Sequence, residues 1–522
     1  MALSGAATIR VVPITYTSRG QDTVASVLRA QAARHGSEPF LVFERAPGDV
    51  LEISWAEMLQ RAERTAGALL RHGVAPGDRF SVHLANCPEF FDVWFGAALL
   101  GAAMVPSNPL CTVDELAYHF QHADCRVCIT QPDLLETAVA AAGGSVAVIS
   151  IDSQWVREDD VAPDVSISPL DVLGVLYTSG TTSRPKGVLI TQAAYLHVGD
   201  AVAEHLRLQP SDRNLIVLPM FHANAQYYSS MSALVTGASI ALAPRFSASR
   251  WSEQATVLGA TVTSLFAAPM RMILAQEPTR FDRAHALRVG LFAQNLTDEQ
   301  LATFEDRFDV PMAQLYGMTE TVAPPTMNPI FEERRGNSIG RPIRSAVLRV
   351  IDVNGNDAPL GEAGELLIAG EPGRTLMLGY LDNPEATSTA LVNGWLHTGD
   401  SVRLDADGYL CFVDRRKDMI KRAGENVATG EVERVINEHP AVFESAAYGV
   451  PDSMRDEAIH VAVVLHKGTE LRADELFEHC RERLAKFKVP DEIRFVESLP
   501  RTSVGKIQKH LLRQDVAVHT KH

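Results

Sequence analysis

The sequence predicts an α/β protein divided into more than one unit, and three observations carry that reading. The chain has 522 residues, more than one compact core holds. Segments with apolar residues at helical spacing alternate with short apolar runs, the rhythm of parallel sheets covered by helices. The texture then changes twice, near residue 340 and again after VDRRKDMIKRAGENV. The expected architecture is a large N-terminal domain of helix-covered sheets with a small β-rich subdomain, followed by an α+β C-terminal domain.

The elements support this in order. DTVASVLRAQAARHG and SWAEMLQRAERTAGALLRHGV place apolar residues on one helical face. Gly and Pro punctuation follows each, then a short apolar run such as RFSVHLA. The most apolar stretch is VWFGAALLGAAMVP, Val93 to Pro106. It is too short to span a bilayer and reads as a buried helix. RVCIT, SVAVISI and SIALA read as short buried strands. AVLRVIDVNG, GELLIAG and GWLHTGDSVRLDADGYLCFVDR are strand-and-turn material with NG and DG signals. They make the β-rich subdomain, about 340–414, at the end of an N-terminal domain of residues 1–414. Residues 415–522 then alternate helix and strand in EVERVINEHP, ESAAYGV, EAIHVAVVLHKG, ADELFEHCRERLA and DEIRFVESLP. That length suits a separate C-terminal domain.

Composition narrows the function. Hydrophobic residues make up 46% and charged residues 21%, the mix of an ordinary soluble protein. The net charge of −16 repels nucleic-acid phosphates and anionic lipid, so no nucleic-acid partner and no membrane insertion are expected. A small anionic ligand in a local pocket stays compatible with that charge. The six cysteines, Cys87, Cys111, Cys125, Cys128, Cys411 and Cys480, are scattered. Cys125 and Cys128 form one CxxC without the second ligand pair of a zinc site, so they read as plain thiols. That usage suits a reducing cytoplasm. The N-terminal MALSGAATIRVVP lacks the basic and apolar regions of a secretory signal.

The chemistry concentrates first in YTSGTTSRPKGV, Tyr177 to Val188. Gly180 and Lys186 keep the interval of the Walker loop. Pro185 stands where that loop has its second glycine, and Gly187 where it has a magnesium-binding hydroxyl, so the strict motif fails. Its physics survives in part. Small residues let backbone N–H groups approach an anion, Thr178, Ser179, Thr181, Thr182 and Ser183 add hydroxyl donors, and Lys186 adds charge. Read alone, the stretch is equally well a hydroxyl-rich surface turn. QLYGMTET adds Tyr316, an aromatic face for a base, and Thr319, a hydroxyl. It also adds Glu320, a carboxylate suited to Mg²⁺, which keeps few protein ligands beside phosphate oxygens. GWLHTGD brings Asp400, suited to two ribose hydroxyls. VDRRKDMIKRAGENV brings Arg415, and LPRTSVGKIQK brings Lys506 after a Gly-bearing turn.

These five segments, in this order, resemble the adenylate-forming superfamily, in its acyl-CoA synthetase branch, over nearly the whole chain. The resemblance implies ATP, Mg²⁺ and CoA as cofactors and a small-molecule acid as substrate. By resemblance, the loop from Thr178 through Gly180 to Lys186 closes over the ATP phosphates. Tyr316 stacks on adenine, Thr319 touches the α-phosphate, Glu320 holds Mg²⁺, and Asp400 and Arg415 contact the ribose. Lys506 bridges the attacking carboxylate and the α-phosphate, where two negative groups meet and charge must be offset. The C-terminal domain is mobile in this family, and the matching hinge is Lys417; the bland alternative is an exposed loop lysine. His222, in LPMFHANAQYY, takes the aromatic-or-His position beside the acid pocket, with a packed histidine as its alternative.

The chain also departs from the family. LFAQNLT, Leu291 to Thr297, replaces a glycine-rich acyl-site segment. Ala293, Gln294 and Asn295, with Asn224, Gln226, Tyr227 and Tyr228 nearby in sequence, imply a polar pocket of modest size. A small or aromatic polar acid is then favoured over a long-chain fatty acid. Alternatively, Gln294 and Asn295 face away and cap the following helix. NCPEFFDVWFG, TSGTTSRPKGV, DSMRDEAI and AKFKVP are similar to crotonobetaine/carnitine–CoA ligases. A quaternary ammonium wants aromatic faces or a carboxylate, and FHANAQ supplies no acid. In RAGENVATGEVE, Ala423 and Gly430 stand where the family usually has Gly and Pro. That loop borders the thiol channel, and Ala423 narrows it unless the change is harmless drift. The expected enzyme is an AMP-forming acid–CoA ligase that makes an acyl-adenylate and then acyl-CoA, AMP and pyrophosphate. The alternatives are an adenylate-forming enzyme that acylates a carrier protein, or one that diazotises an aromatic amine with ATP and nitrite. Homodimerisation stays open. Glu320, Lys506 and the full phosphate loop argue against a non-catalytic nucleotide binder.

Overall fold

The structure is a computed structural model that describes residues 8–9, 20–152, 154–178, 185–415, 419–422, 425–452, 456–501 and 507–519. Among these, four sheets organise the chain. One runs Gly379–Tyr380, Lys186–Thr191, Val172–Thr178, Ala103–Pro106, Arg79–His83, Val127–Thr130 and Ala147–Ser150. A second places Met312–Tyr316, Val289–Ala293, Val262–Phe266, Arg213–Ile216, Ser239–Leu242 and Pro39–Ala46 side by side in parallel. Two of its strands, VTSLF and SIAL, are buried throughout, as parallel strands covered on both faces must be.

The helices begin where their sequences provide caps. Ser54 and Glu57 form a capping box before the helix Trp55–Arg71, and Thr112 and Glu115 do so before Val113–His122. The helix Pro88–Leu100 is buried on nearly all sides and packs on Trp55–Arg71. It accounts for only the first half of the apolar run read as one buried helix. Gly101, with φ 74°, ends the helix, and Ala103–Pro106 continues as a central strand. Apolar content alone does not distinguish a buried helix from a buried strand, and the left-handed glycine supplies the break.

The β-rich unit is an antiparallel sheet of Val347–Ile351, Ala363–Ala369, Trp395–Leu404 and Leu410–Arg415, with short flanking strands. Past it, Val442–Asp452, Asp456–Leu465 and Glu492–Phe495 form a sheet with a core of its own, covered by the helices Thr429–Asn437 and Ala473–Arg483. No helix among the described residues is long and apolar enough to cross a membrane. Cys125 and Cys128 are both buried, and burial pushes the Cys128 thiol up to about 12, which leaves it an inert thiol at neutral pH.

Candidate active site

A cleft of about 2830 Å³ lies outside the carboxyl ends of the parallel strands, where open α/β sheets bind ligands. His222 follows Arg213–Ile216, Gln294 and Asn295 follow Val289–Ala293, and Gly317 to Glu320 follow Met312–Tyr316; all line the cleft. Thr178, at the end of a strand in the other large sheet, lines it too. Residues far apart in sequence thus meet because each lies at or beyond the carboxyl end of a strand.

At one end stand the groups expected to take the nucleoside. The Tyr316 hydroxyl donates to Asp400 Oδ2 at 2.6 Å, and both side chains are buried. Asp400 and Arg415 are register partners across the antiparallel strands Trp395–Leu404 and Leu410–Arg415, which explains how two residues so spaced serve one site. Phe412 lines the cleft with its ring centroid 6.5 Å from that of Tyr316. The sequence reading did not single out Phe412.

The phosphate end is built around the loop ends. Thr178 and Lys186 are register partners and bracket the loop. Ser179, Gly180, Thr181 and Thr182 lie outside the described residues. Lys186 Nζ sits 4.5 Å from the Tyr380 ring centroid, and the Tyr380 hydroxyl donates to Glu320 Oε1 at 3.0 Å. Burial and the Glu320 carboxylate push the Tyr380 phenol up, so it remains a donor. Tyr380 escaped the sequence reading: GYLDNPE looks like a turn before a helix, and nothing local points to a carboxylate sixty positions earlier (380 minus 320).

Helix Val113–His122 holds both stems of the same loop. The Tyr118 hydroxyl donates to the Pro185 carbonyl at 2.8 Å. His122 Nδ1 lies 2.7 Å from the Tyr177 hydroxyl, and His119 stacks on the Tyr177 ring at 4.1 Å. No spacing signal in the sequence links these residues to the loop.

At the acid end, His222 packs edge-on against Phe266, with centroids 6.2 Å apart. Gln294 has φ 74°, a left-handed conformation strained for a residue with a side chain. Asn295 Oδ1 accepts from Gln314 Nε2 at 2.8 Å, and its carbonyl accepts from Arg271 at 2.8 Å. Neither residue caps the next helix: Thr297 is the cap of Asp298–Phe308 and forms the capping box with Gln300.

Three expected pocket residues sit elsewhere. Ala293, Gln226 and Tyr227 are not among the residues lining the cleft, and neither is Tyr316, expected as the adenine platform, which sits buried behind Gly317. Asn224–Met231 winds as a π-helix that is buried throughout, so nearness in sequence to His222 does not bring these side chains to the cleft. Gln226 is fully buried, accepts from the Tyr195 hydroxyl at 2.6 Å and donates to the Met220 carbonyl at 2.9 Å. The Tyr227 hydroxyl points to the Thr319 carbonyl at 3.4 Å. A Cβ on Gly317 would lie 2.7 Å from the Tyr228 hydroxyl. These side chains buttress the YGMTE turn from behind, and glycine at 317 admits the approach.

Lys506 and Lys417 lie outside the described residues, as does the Arg415 side chain. Arg501, Ile507, Gln508 and Lys509 line the cleft. No group of three or more His, Cys, Asp or Glu side chains suited to a metal exists among the described residues. A site for Mg²⁺ that relies on one carboxylate and the phosphates of a nucleotide does not need one, and Glu320, lining the cleft beside Lys186 and Tyr380, fits that pattern.

A cleft at the strand ends, lined by the stems of the hydroxyl-rich loop and by residues of the C-terminal domain, is the arrangement an AMP-forming enzyme of the adenylate-forming type uses. The chain matches the AMP-binding enzyme family over residues 28–381 and the AMP-binding enzyme C-terminal domain over residues 431–506, and it belongs to that family of ATP-binding acid–CoA ligases. It is 37% identical over 498 residues to the crotonobetaine/carnitine–CoA ligase of Citrobacter koseri, covering 92% of this chain and 96% of the relative. The crystal structure of an anthranilate CoA ligase in complex with anthranoyl-AMP superposes with a TM-score of 0.87 at 25% identity, over 96% of this chain and 99% of that one. ATP-bound MatB from Rhodopseudomonas palustris superposes with a TM-score of 0.84 at 26% identity, over 94% and 98%.

Proposed function

We propose that the enzyme activates a small or aromatic polar carboxylic acid as its adenylate and passes the acyl group to CoA. The carrying observation is the turn at the acid end of the cleft. Gln294 is held in left-handed backbone, and the Asn295 amide is pinned by Gln314, which supports a polar acid end of fixed shape. A solved relative holds anthranoyl-AMP, an aromatic acyl-adenylate, which supports that size class. Gln226 and Tyr227, expected in the pocket, are both engaged inside the wall, while Gln294 and Asn295 line the cleft.

The residues divide the work as follows. Asp400 and Arg415 hold the ribose, with Tyr316 as the adenine platform beside them. The loop from Thr178 to Lys186 grips the phosphates, and Thr319 touches the α-phosphate. Glu320 anchors Mg²⁺, which supplies charge neutralisation across the phosphate oxygens. His222 and Asn295 border the acid. Lys506 offsets the charge where carboxylate meets α-phosphate, a task of positioning and electrostatics. The domains divide at 414/415 with Lys417 as the hinge, and the site of action is the cytoplasm.

The test supplies ATP, Mg²⁺ and CoA with crotonobetaine, anthranilate, benzoate or palmitate, and reads AMP release and the thioester by mass spectrometry. At least one of the three small acids should give AMP with a CoA adduct, with palmitate at least about tenfold slower. Palmitate as the fastest substrate sinks the size argument. AMP release that requires nitrite and an arylamine, with no CoA adduct, sinks the CoA reading. Lys506→Ala should lower adenylate formation by roughly a hundredfold while ATP still binds.

A further inference from the structure

The seam between the last strand of the β-rich unit and the first helix of the C-terminal domain is unusually close. Asp414 sits on Leu410–Arg415, one residue before Arg415. Its Oδ2 accepts both from the Thr429 backbone N–H at 2.5 Å and from the Thr429 hydroxyl at 2.8 Å. Asp414 and Thr429 are both buried. The same Thr429 Oγ1 accepts from Lys509 Nζ at 2.6 Å, and Lys509 pairs with Glu433 at 2.7 Å. Glu433 in turn accepts from the Ala447 N–H at 2.9 Å, which ties the chain of contacts to the C-terminal sheet. The next residue, Gly430, lies so near the strand that a Cβ there would stand 3.1 Å from the Val413 carbonyl oxygen.

Each contact needs the residue present. Proline at 429 would have neither the N–H nor the hydroxyl. Any side chain at 430 would press on the Val413 carbonyl. The hydroxyl of Thr429 donates in one direction and accepts in the other, so one oxygen joins a strand on one side of the 416–418 segment to a lysine on the other. Lys509 is three residues beyond Lys506 in sequence, and Ile507, Gln508 and Lys509 line the cleft. Hydrogen bonds to charged partners, as here at both ends, are the stronger kind.

We infer that Thr429, Asp414 and Lys509 form a positioning latch that holds the C-terminal domain in the orientation for adenylate formation. The latch links the strand that carries Arg415 to the segment that follows Lys506, and so sets one against the other. By the domain rotation that the family resemblance implies, the contact between Thr429 and Asp414 parts for the second half-reaction. The inference rests on the adenylation roles proposed above for Lys506 and Lys417. Thr429, Asp414 and Lys509 are positioning residues and touch no reacting atom.

The experiment separates the half-reactions in the full-length enzyme. Thr429→Val removes the hydroxyl, and Gly430→Ala presses on the seam. Single-turnover adenylate formation, with whichever of the four acids above reacts fastest, should fall by roughly ten- to a hundredfold in each. Thioester formation from preformed adenylate should be unchanged or faster, and Thr429→Ser should restore the first step. A parallel arm needs no acid: dyes on Val353→Cys and Lys467→Cys, both exposed, report domain orientation by single-molecule energy transfer with ATP and Mg²⁺. Cys87, Cys111 and Cys411, the partly exposed native thiols, are changed to Ser for this arm. Thr429→Val should shift molecules out of the dominant wild-type distance, and Thr429→Ser should return them. Unaltered distances overturn the latch, whatever the acid proves to be. So does an equal loss in both half-reactions. A failure of all four acids to react, with the distance shift intact, counts against the substrate reading and not against the latch.

Discussion

Tyr316 and Tyr380 make the same kind of contact: each phenol donates to a buried carboxylate. The Tyr316 hydroxyl meets Asp400 at 2.6 Å, and Tyr380 meets Glu320 at 3.0 Å. Tyr316→Phe keeps the ring and loses only the donor. A hydrogen bond to a charged acceptor contributes about 1.5 kcal/mol, so KM for ATP should rise roughly tenfold in steady-state kinetics, with kcat less affected. Tyr316→Leu removes the face as well and should raise KM further. An unchanged KM in the Phe variant would mean that the phenol does not orient Asp400 for the ribose. Of this pair of tyrosines, only Tyr316 was legible from sequence, because it lies inside a dense motif. Tyr380 works through a contact that exists only after two sheets are packed.

Between elements, the phosphate loop is not an isolated turn. Its stems are register partners in an antiparallel pair, and helix Val113–His122 grips them through Tyr118, His119 and His122. Tyr118→Phe removes the bond to the Pro185 carbonyl. Loss of one neutral hydrogen bond, about 1 kcal/mol, should slow ATP–pyrophosphate exchange by roughly fivefold, with a smaller effect on thioester formation from preformed adenylate. Equal slowing of both steps would remove the helix from the adenylation machinery. The elements the sequence predicted are present where helical spacing or β-branched runs were unambiguous, as in Trp55–Arg71 and Val127–Thr130. The reading failed where nearness in sequence or apolar content stood in for geometry. The π-helix Asn224–Met231 turned Gln226 and Tyr227 away from the cleft, and Gly101 split one apolar run into helix and strand.

Across the whole molecule, buried histidines set a response to acid. Burial pushes His83, His119 and His197 down to about 4 from an ordinary 6.5. A lowered folded value means the unfolded chain takes up these protons first. Their contribution is therefore full above pH 6.5 and is lost as pH falls toward 4. The urea midpoint should drop across that window, and His119→Gln should flatten the drop. A midpoint that holds from pH 6.5 to pH 4.5 would show that these rings are not held neutral. His119 also stacks on Tyr177, so pyrophosphate exchange should fail before global unfolding on the acid side.

The sequence by itself supplied the candidate groups and their order along the chain: a hydroxyl-rich loop, an YGMTE turn, Asp400, Arg415 and a late lysine. It could do so because each motif is local, and its residue types follow from the charge they must meet. Only the tertiary structure decided which side chains face the cleft and which support it. Gln226 and Tyr227 moved behind the wall, Tyr380 and Tyr118 joined the lining of the cleft, and Thr429 became a bridge between Asp414 and Lys509. Such partners lie on different sheets or different domains. Their meeting depends on how those bodies pack, which no spacing within one segment encodes.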